Sequence, residues 1–309
     1  MNDKLIVVAG ASGKLGRLII EAVAKEPSAR VRALVRDKSK LALAGAGNVE
    51  VQEIDVANAD PAALANAVRG AWAVISALQG GPDIIVDAQL GLLEASKAAG
   101  ARRFIPSDFS FDFFSLPEGI NVNSDWRRTF ATRAQAQVGP SFEVVHVMQG
   151  IFADAYVLGF LGLLDAEGRV IRYWGDGKTP IDWTTWEDTA RFTAAAALDD
   201  RKVPEQLFVR GDRMDVFGFA KTFSMVHGRE LATECLGTLD DLAAETGRRL
   251  AQEPGNMFAW LPLMYARGVF GGQALLGPLL NDRYPQIVPE TVAQAMARGA
   301  IGRPETRTP

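Results

Sequence analysis

Leu5-Ile-Val-Val-Ala-Gly-Ala-Ser-Gly-Lys-Leu-Gly16 decides how the rest of the chain is read. Leu5 to Ala9 is a short, uninterrupted apolar run, the pattern of a strand buried on both faces of a parallel sheet. Gly10, Gly13 and Gly16 follow, and Leu15, Leu18, Ile19 and Val23 then recur at helical spacing. Each glycine has a task at such a strand-to-helix turn. Gly10 permits the tight exit, Gly13 lets the backbone approach a pyrophosphate, and Gly16 lets helix pack against strand. The N-terminus of the helix offers unpaired N–H groups and a partial positive charge to a phosphate. Three spaced glycines alone also describe a plain tight turn. The dinucleotide-binding reading needs them in the first strand–helix unit of an alternating chain, and that is where they stand.

Further strand patterns follow at Val31–Val35, Val49–Ile54, Trp72–Ser76 and Arg103–Ile105. Between them, Asp60-Pro61 caps and opens a helix to Arg69, and Ile84 to Ala99 forms another, closed by Gly100. This alternation predicts right-handed crossovers and an α/β fold, a Rossmann-type doubly wound parallel sheet. After Ser107 the rhythm changes. Asp108 to Ser124 lacks periodicity, and a loop of that length inside a domain is usually functional. A helix is predicted from Asp125 to Gln137, and a sixth strand from Phe142 to Met148. Thr184-Thr-Trp-Glu187 matches a capping box opening a helix through Leu198, and Gln206–Arg210 returns to the sheet. Helical patterns near 216–227, 239–252 and 257–268 dominate the remainder. The expected organisation is a dinucleotide-binding core over 1–153, rejoined by a helix and strand near 184–210. A smaller, mainly helical substrate lobe over 154–309 interleaves with it. The tail from Gly302 to Pro309 has no apolar anchor and is expected to fray.

The chain has 309 residues, about twice the ~150 usual for one domain. Hydrophobic residues make up 48% and charged residues 23%, which fits a globular protein and not a disordered one. A net charge of −4 gives no electrostatic case for nucleic-acid binding. Cys235 is the single cysteine, so an internal disulfide and a thiolate metal cluster are excluded. With His146 and His227 the only histidines, no metal site is expected. The most apolar late stretch, Ala259 to Leu280, is broken by Pro262, Arg267 and Pro278, and the N-terminal apolar run is too short for a secretory signal. No membrane partner is expected, and the reading is a soluble protein of a reducing compartment, the cytoplasm.

The tip of the second strand bears on the cofactor. An NAD site usually carries an acid about 20 residues past the glycines, where it holds the ribose 2′-hydroxyl. Here Arg36 stands 20 positions after Gly16, followed by Asp37, Lys38 and Lys40. A guanidinium there suits a 2′-phosphate, which favours NADP(H) over NAD(H). The alternatives are a solvated Arg36 with Asp37 capping the next helix, or Asp37 holding a hydroxyl.

The glycine loop, Leu34-Val-Arg-Asp37, Arg103-Phe-Ile-Pro-Ser-Asp108 and Gly150-Ile-Phe-Ala153 together resemble the NmrA-like and isoflavone-reductase-like proteins, atypical short-chain dehydrogenase/reductases. The likeness runs on through Tyr173-Trp-Gly-Asp176 to Asn281-Asp-Arg-Tyr-Pro285. The resemblance implies that Gly10, Ala11, Ser12, Gly13, Lys14, Leu15 and Gly16 cradle the pyrophosphate. It further implies that Arg36 and Lys40 meet the adenosine phosphate, Asp55 and Val56 flank adenine, and Ala77, Leu78 and Gln79 line the cofactor cleft. Ser107, Gly150, Ile151 and Phe152 would face the nicotinamide.

The departures from the family pattern are as informative. None of Tyr156, Tyr173, Tyr265 and Tyr284 has a lysine four residues later, so the short-chain dehydrogenase Tyr-x-x-x-Lys is missing. The lysine that isoflavone-reductase-like enzymes carry after the fifth strand is missing too, since no lysine lies between Lys97 and Lys178. The candidates left are Asp108 as proton donor, with Asn123 and Arg127 positioning a carbonyl or carboxylate; Asn121 is a further candidate. Asp108 also reads as a loop cap, and Arg127 and Arg128 as surface ion pairs. His146, in an apolar strand, reads first as a satisfied core residue, and His227 before Gly228 as a helix end. Met257 to Tyr265, rich in Met and aromatics, is either helix core or the lining of an apolar pocket. The reading is an NADP(H)-dependent oxidoreductase of an apolar aromatic, quinone-like or polyketide-like small molecule. The alternatives are a non-catalytic NAD(P) sensor acting through a protein partner, and NADPH-dependent oxygenation of an aromatic polyketide.

Overall fold

The computed structural model describes residues 3–41 and 47–302. Apart from Gly302, the tail expected to fray lies outside them. Strands β1 (Lys4–Ala9), β2 (Ala29–Val35), β3 (Val49–Glu53), β4 (Ala73–Ser76), β5 (Arg103–Ile105) and β6 (Glu143–Val144) form one sheet in the order β3-β2-β1-β4-β5-β6. Every pairing in it is parallel. This is the doubly wound Rossmann order. Its helices are α1 (Lys14–Ala24), α2 (Pro61–Ala67), α3 (Gln89–Ala98) and α4 (Val122–Gln135). The side-chain period of a strand explains the two layers. Ile6 and Val8 pack on the α1 side with Ile19, Ile20 and Val23, while Leu5, Val7 and Ala9 pack on the opposite side with Leu64, Leu92 and Phe130.

The run predicted as one sixth strand changes neighbours midway. β6 pairs with β5, and Val145 N still donates to Phe104 O at 3.0 Å. From His146 the chain becomes β7 (His146–Met148), which pairs in parallel with the later β11 (Gln206–Phe208). The lobe holds β8 (Ile151–Phe152), β10 (Ile181–Thr184) and β12 (Asp212–Met214) in one small sheet, and β9 (Val170–Tyr173) beside β13 (Ala232–Cys235). Helices α5 (Ala155–Phe160), α7 (Val216–His227), α8 (Leu239–Gln252), α9 (Met257–Phe270) and α10 (Val292–Ala297) surround a core that includes Trp183, Phe219 and Phe223. α6 (Trp186–Leu198) returns to the sheet and packs against α1.

Two helix starts differ from the sequence expectation. α4 begins at Val122, three residues before Asp125, because Asn121 is its cap and accepts from Ser124 N at 3.1 Å. α6 is capped by Thr185, which accepts from Asp188 N at 3.1 Å, and not by Thr184. Thr184 belongs to β10 and donates to Gln149 O at 2.7 Å, while Glu187 pairs with Arg298, so the expected capping box is not made.

α6 ends on Asp199, whose carboxylate accepts from the Arg201 backbone (2.9 Å) and side chain (3.0 and 3.2 Å) and from Arg283 Nε (3.0 Å). Burial pushes this carboxyl up, but the hydrogen bonds from Arg201 and the charge of Arg283 outweigh it and lower the pKa from 3.8 to about 2. A carboxylate depressed on folding stabilises fully above its unfolded pKa and loses that contribution as pH falls through the folded value. At about 1.4 kcal/mol per pKa unit, the contribution is about 2 kcal/mol. In urea titrations, wild type is expected to exceed Asp199→Asn by that amount near neutrality, with the gap closing below about pH 4. A gap that does not narrow with acid would refute this assignment.

Candidate cofactor and substrate site

The glycine turn is built at the carboxyl end of β1. Gly10 has φ +76°, and a Cβ on it would lie 2.4 Å from Ala77 O. A Cβ on Gly16 would lie 2.3 Å from Gly10 O. The chain's own backbone therefore demands both glycines. Gly13 differs. Its φ of −72° is open to any residue, and the nearest atom to an added Cβ is Gly10 O at an ordinary 3.4 Å. Gly13 is the N-cap of α1, makes no side-chain cap, and is followed by no acid in the first turn. The amides of a helix's first turn have no intrahelical partner and suit a diphosphate. Around the turn, Ala11 N donates to Leu34 O at 3.3 Å and Leu15 is buried in the sheet-side core. Arg17 donates to Ser12 O at 3.0 Å and to Lys40 O at 2.7 Å, tying the turn to the chain after β2. Lys14 Nζ reaches Asp154 Oδ2 at 2.7 Å and stands 5.3 Å over the Trp186 ring, which stacks on Phe152 at 3.5 Å.

At the tip of β2, Arg36 is exposed and has no hydrogen bond or ion pair among the described residues. Asp37 caps the short turn Lys38–Lys40, accepting from Ser39 Oγ (2.6 Å) and N (2.9 Å). Those bonds with Ser39, side chain first, hold its carboxyl below the usual range. Asp37 is thus committed locally, and Lys40 is exposed beside it. Asp55 closes a turn onto Ala57 N (3.2 Å) and Asn58 Nδ2 (2.9 Å), while Val56 is buried in the wall with Ala9, Leu34 and Leu78.

The carboxyl ends of β4 and β5 are joined. Ser107 Oγ donates to Leu78 O at 2.7 Å, and Ser107 N donates to Gln89 Oε1 at 2.8 Å. Ala77 backs Gly10, Gln79 is exposed, and a π turn at Asp83–Ala88 leads into α3. Such turns are frequent at functional sites. Gly150, with φ +81°, has no room for a side chain: its Cβ would fall 2.2 Å from Asp182 O. Ile151 pairs with Trp183 in the small lobe sheet, and Phe152 is held flat on Trp186.

The catalytic candidates separate. Asp108 is fully enclosed, its Oδ2 lying 2.5 Å from Nδ1 of the equally buried His146. Phe113 and Phe114 meet the imidazole edge-on, and Asp108 Oδ1 has no hydrogen-bond partner among the described residues. His146 is thus a partnered core residue, and the carboxylate beside it faces inward. His227 ends α7 before the left-handed Gly228 and packs on Phe223. Arg128 makes the ion pair, with Asp125, and also donates to Phe113 O (2.6 Å) and Leu116 O (2.5 Å), holding the long loop to α4. Arg127 pairs with no carboxylate among the described residues. It donates to Ser107 O (3.3 Å), Asn123 O (3.2 Å) and the hydroxyl of Tyr265 (3.5 Å), to which Asn123 Nδ2 also donates at 3.1 Å. Several buried polar atoms have no hydrogen-bond partner among the described residues, among them Ser76 Oγ, Asn123 Oδ1 and Gln149 Oε1. Ser76 ends β4 and Gln149 follows β7, so both stand at the carboxyl edge where open α/β sheets bind ligands.

Sequence reasoning named Asn123 and Arg127 singly, with Asn123 in the loop before a helix expected to open at Asp125; the earlier start of α4 places both on that helix, one turn apart. Sequence reasoning left out Tyr265, which lies 138 residues beyond Arg127. The only signal there was a tyrosine within an apolar helix, equally suited to core. In α9, Trp260, Leu261 and Met264 are buried together, while Phe258 is exposed beside a cleft of about 400 Å³ shared with Phe160, Trp174 and Leu263 and with the charged Glu245 and Arg249.

Residues 2–242 match the NmrA-like family. The bifunctional pinoresinol-lariciresinol reductase of Linum perenne is 27% identical over 280 residues, covering 82% of this chain and 85% of that protein. An NmrA-like family domain-containing oxidoreductase of Gibberella moniliformis is 25% identical over 228 residues, covering 69% and 73%. A solved structure, AtPrR2 with NADP+ and (+)pinoresinol, superposes with a TM-score of 0.77 at 20% identity, covering 96% of this chain and 99% of that one. At that identity the superposition establishes a common fold.

Proposed function

The chain belongs to the NmrA-like family, and from that premise we propose that it is an NADPH-dependent reductase of an aromatic small molecule. The observation that carries the proposal is the bond from Ser107 to Leu78. It supports a cofactor cleft beside a polar cluster, because Ser107 also accepts from Arg127, which meets Asn123 and Tyr265 next to the rings of Phe111 and Phe160. The named activities of the relatives, a pinoresinol-lariciresinol reductase and an oxidoreductase, point the same way.

In this proposal the free amides of α1 bind the diphosphate, Arg36 the 2′-phosphate, and Val56 with Leu78 the adenosine side of the cleft. Bound NADPH supplies a hydride. The protein orients the two partners, keeps water out with Phe111 and Phe160, and presents the Arg127 guanidinium to an oxygen that gains negative charge. Steady-state oxidation of NADPH against lignans, flavonoid ketones and naphthoquinones tests the reading. Tight NADPH binding with no turnover of any acceptor would instead make the protein a dinucleotide sensor.

The choice of cofactor has its own test. Arg36→Ala is expected to weaken NADPH by about 1.5–3 kcal/mol, the worth of a charged hydrogen bond, and to leave NADH unchanged. Fluorescence titration of both cofactors reads this directly. Equal losses for the two would remove Arg36 from the phosphate.

A further inference from the structure

α9 brings Tyr265 across to α4, where two side chains one helical turn apart meet its hydroxyl. Asn123 Nδ2 donates to the phenol oxygen at 3.1 Å and Arg127 Nη1 at 3.5 Å. Both neighbours donate, so the oxygen acts as acceptor and its own proton is given to no protein group among the described residues. The ring is held edge-on by Phe111 at 5.8 Å and Phe160 at 6.4 Å, walls that also suit an aromatic ligand. Arg127 is half-buried, and its Nε rests on the carbonyl of Ser107, whose hydroxyl reaches the cleft wall at Leu78. A continuous polar chain thus runs from the cofactor cleft to the phenol. Other donors are scarce. No lysine lies between Lys97 and Lys178, so α4 and its flanking loops carry no ammonium. Asp108 is enclosed with His146.

We infer that Tyr265 is the catalytic proton donor of this site, with Arg127 and Asn123 as positioning residues that stabilise the phenolate it becomes. The inference rests on the reductase reading above and specifies its chemistry for an aryl ketone. A hydride from the reduced nicotinamide forms the new C–H bond at the carbonyl carbon. The π electron pair of the C=O bond moves to oxygen, and the Tyr265 proton closes the O–H bond. The ketone is reduced to an alcohol, the nicotinamide is oxidised, and solvent returns a proton to the phenolate. The two N–H donors already aimed at the phenol oxygen receive its charge without rearranging, which is the condition for electrostatic catalysis.

Tyr265→Phe keeps the ring and removes the hydroxyl. With flavanone and 1-tetralone as probes and NADPH as reductant, kcat is expected to fall about 10²-fold, in the range of a lost general acid. KM and NADPH affinity should stay within about twofold. The solvent isotope effect on kcat in D2O should be present in wild type and absent in the variant. Arg127→Lys, which keeps a cation by the phenol, should retain more turnover than Arg127→Met, and this pair stands in if Tyr265→Phe does not fold. Ketone turnover in Tyr265→Phe within about threefold of wild type, a loss confined to KM, or equal rates for the two Arg127 variants would overturn the inference while leaving the reductase reading intact. Wild type that binds NADPH but reduces neither ketone nor any other acceptor would overturn both.

Discussion

Gly13→Asp is expected to cut NADPH affinity by about 10²–10⁴-fold while leaving the fold as stable as before or slightly more so. Gly13 is the N-cap of α1, with φ −72° and ψ 163°, the extended conformation in which an aspartate caps well. An added Cβ meets only Gly10 O, at 3.4 Å. An Asp carboxylate there would take the amides of the first turn for itself, and it would set a negative charge where the diphosphate must lie. Losing two charged hydrogen bonds, at about 1.5–3 kcal/mol each, sets the range. The cap itself is worth a few tenths of a kcal/mol over glycine. Calorimetric titration with NADPH, beside urea unfolding of both proteins, separates the two effects. Gly10 and Gly16 could not separate them, because a side chain at either strikes backbone within 2.4 Å and the fold would suffer first. Binding retained within tenfold in Gly13→Asp would mean that the phosphates do not sit on α1.

The contrast among these glycines also marks how far the sequence could be read. The sheet was legible because its central strands are buried on both faces, so Leu5 to Ala9 appears as an unbroken apolar run and Val31 to Val35 as one interrupted only by Arg32. The lobe strands were not, since β8, β10 and β12 have two to four residues each, too few to show alternation. The start of α4 was misplaced because Asn121 and Asp125 are both plausible caps by residue type; only the bond to Ser124 N tells them apart. The same holds for Thr184 and Thr185, where the first hydroxyl is claimed by Gln149 O, distant in sequence. At the site, whatever depended on local spacing was visible: the glycine turn and Arg36 on its strand tip. Whatever depended on tertiary approach was not. The Asp108–His146 pair is separated by 38 residues and the contact of Arg127 with Tyr265 by 138. Both were therefore read as unrelated single residues.

Glu143→Ala is expected to destabilise the protein by about 3–5 kcal/mol, the cost of leaving a buried charge unpaired, without changing NADPH affinity in the protein that remains folded. Arg103 has no exposed surface. Its Nε and Nη2 donate to Glu143 Oε2 at 2.9 and 2.6 Å, and its remaining donors go to the carbonyls of Ala196, Asp199 and Arg201 at the end of α6. Glu143 also accepts from Val203 N at 3.2 Å, so one carboxylate fastens β5, β6 and the close of α6. Removing it leaves a guanidinium in the core with carbonyl partners only. Arg103→Leu combined with Glu143→Leu should recover much of the loss, since apolar side chains of similar volume often replace a buried pair at little cost. A double-mutant cycle from urea unfolding measures the coupling, and a sum of single losses equal to the double loss would refute it. The expected indifference of cofactor affinity follows from position. Arg103 and Glu143 open their strands, at the amino edge of the sheet, whereas ligands of this fold bind at the carboxyl edge. The segment Arg103-Phe-Ile-Pro-Ser-Asp108 therefore carries two separate duties: its first residue anchors the fold, and Ser107 ties the end of β4 to Arg127 beside the candidate proton donor.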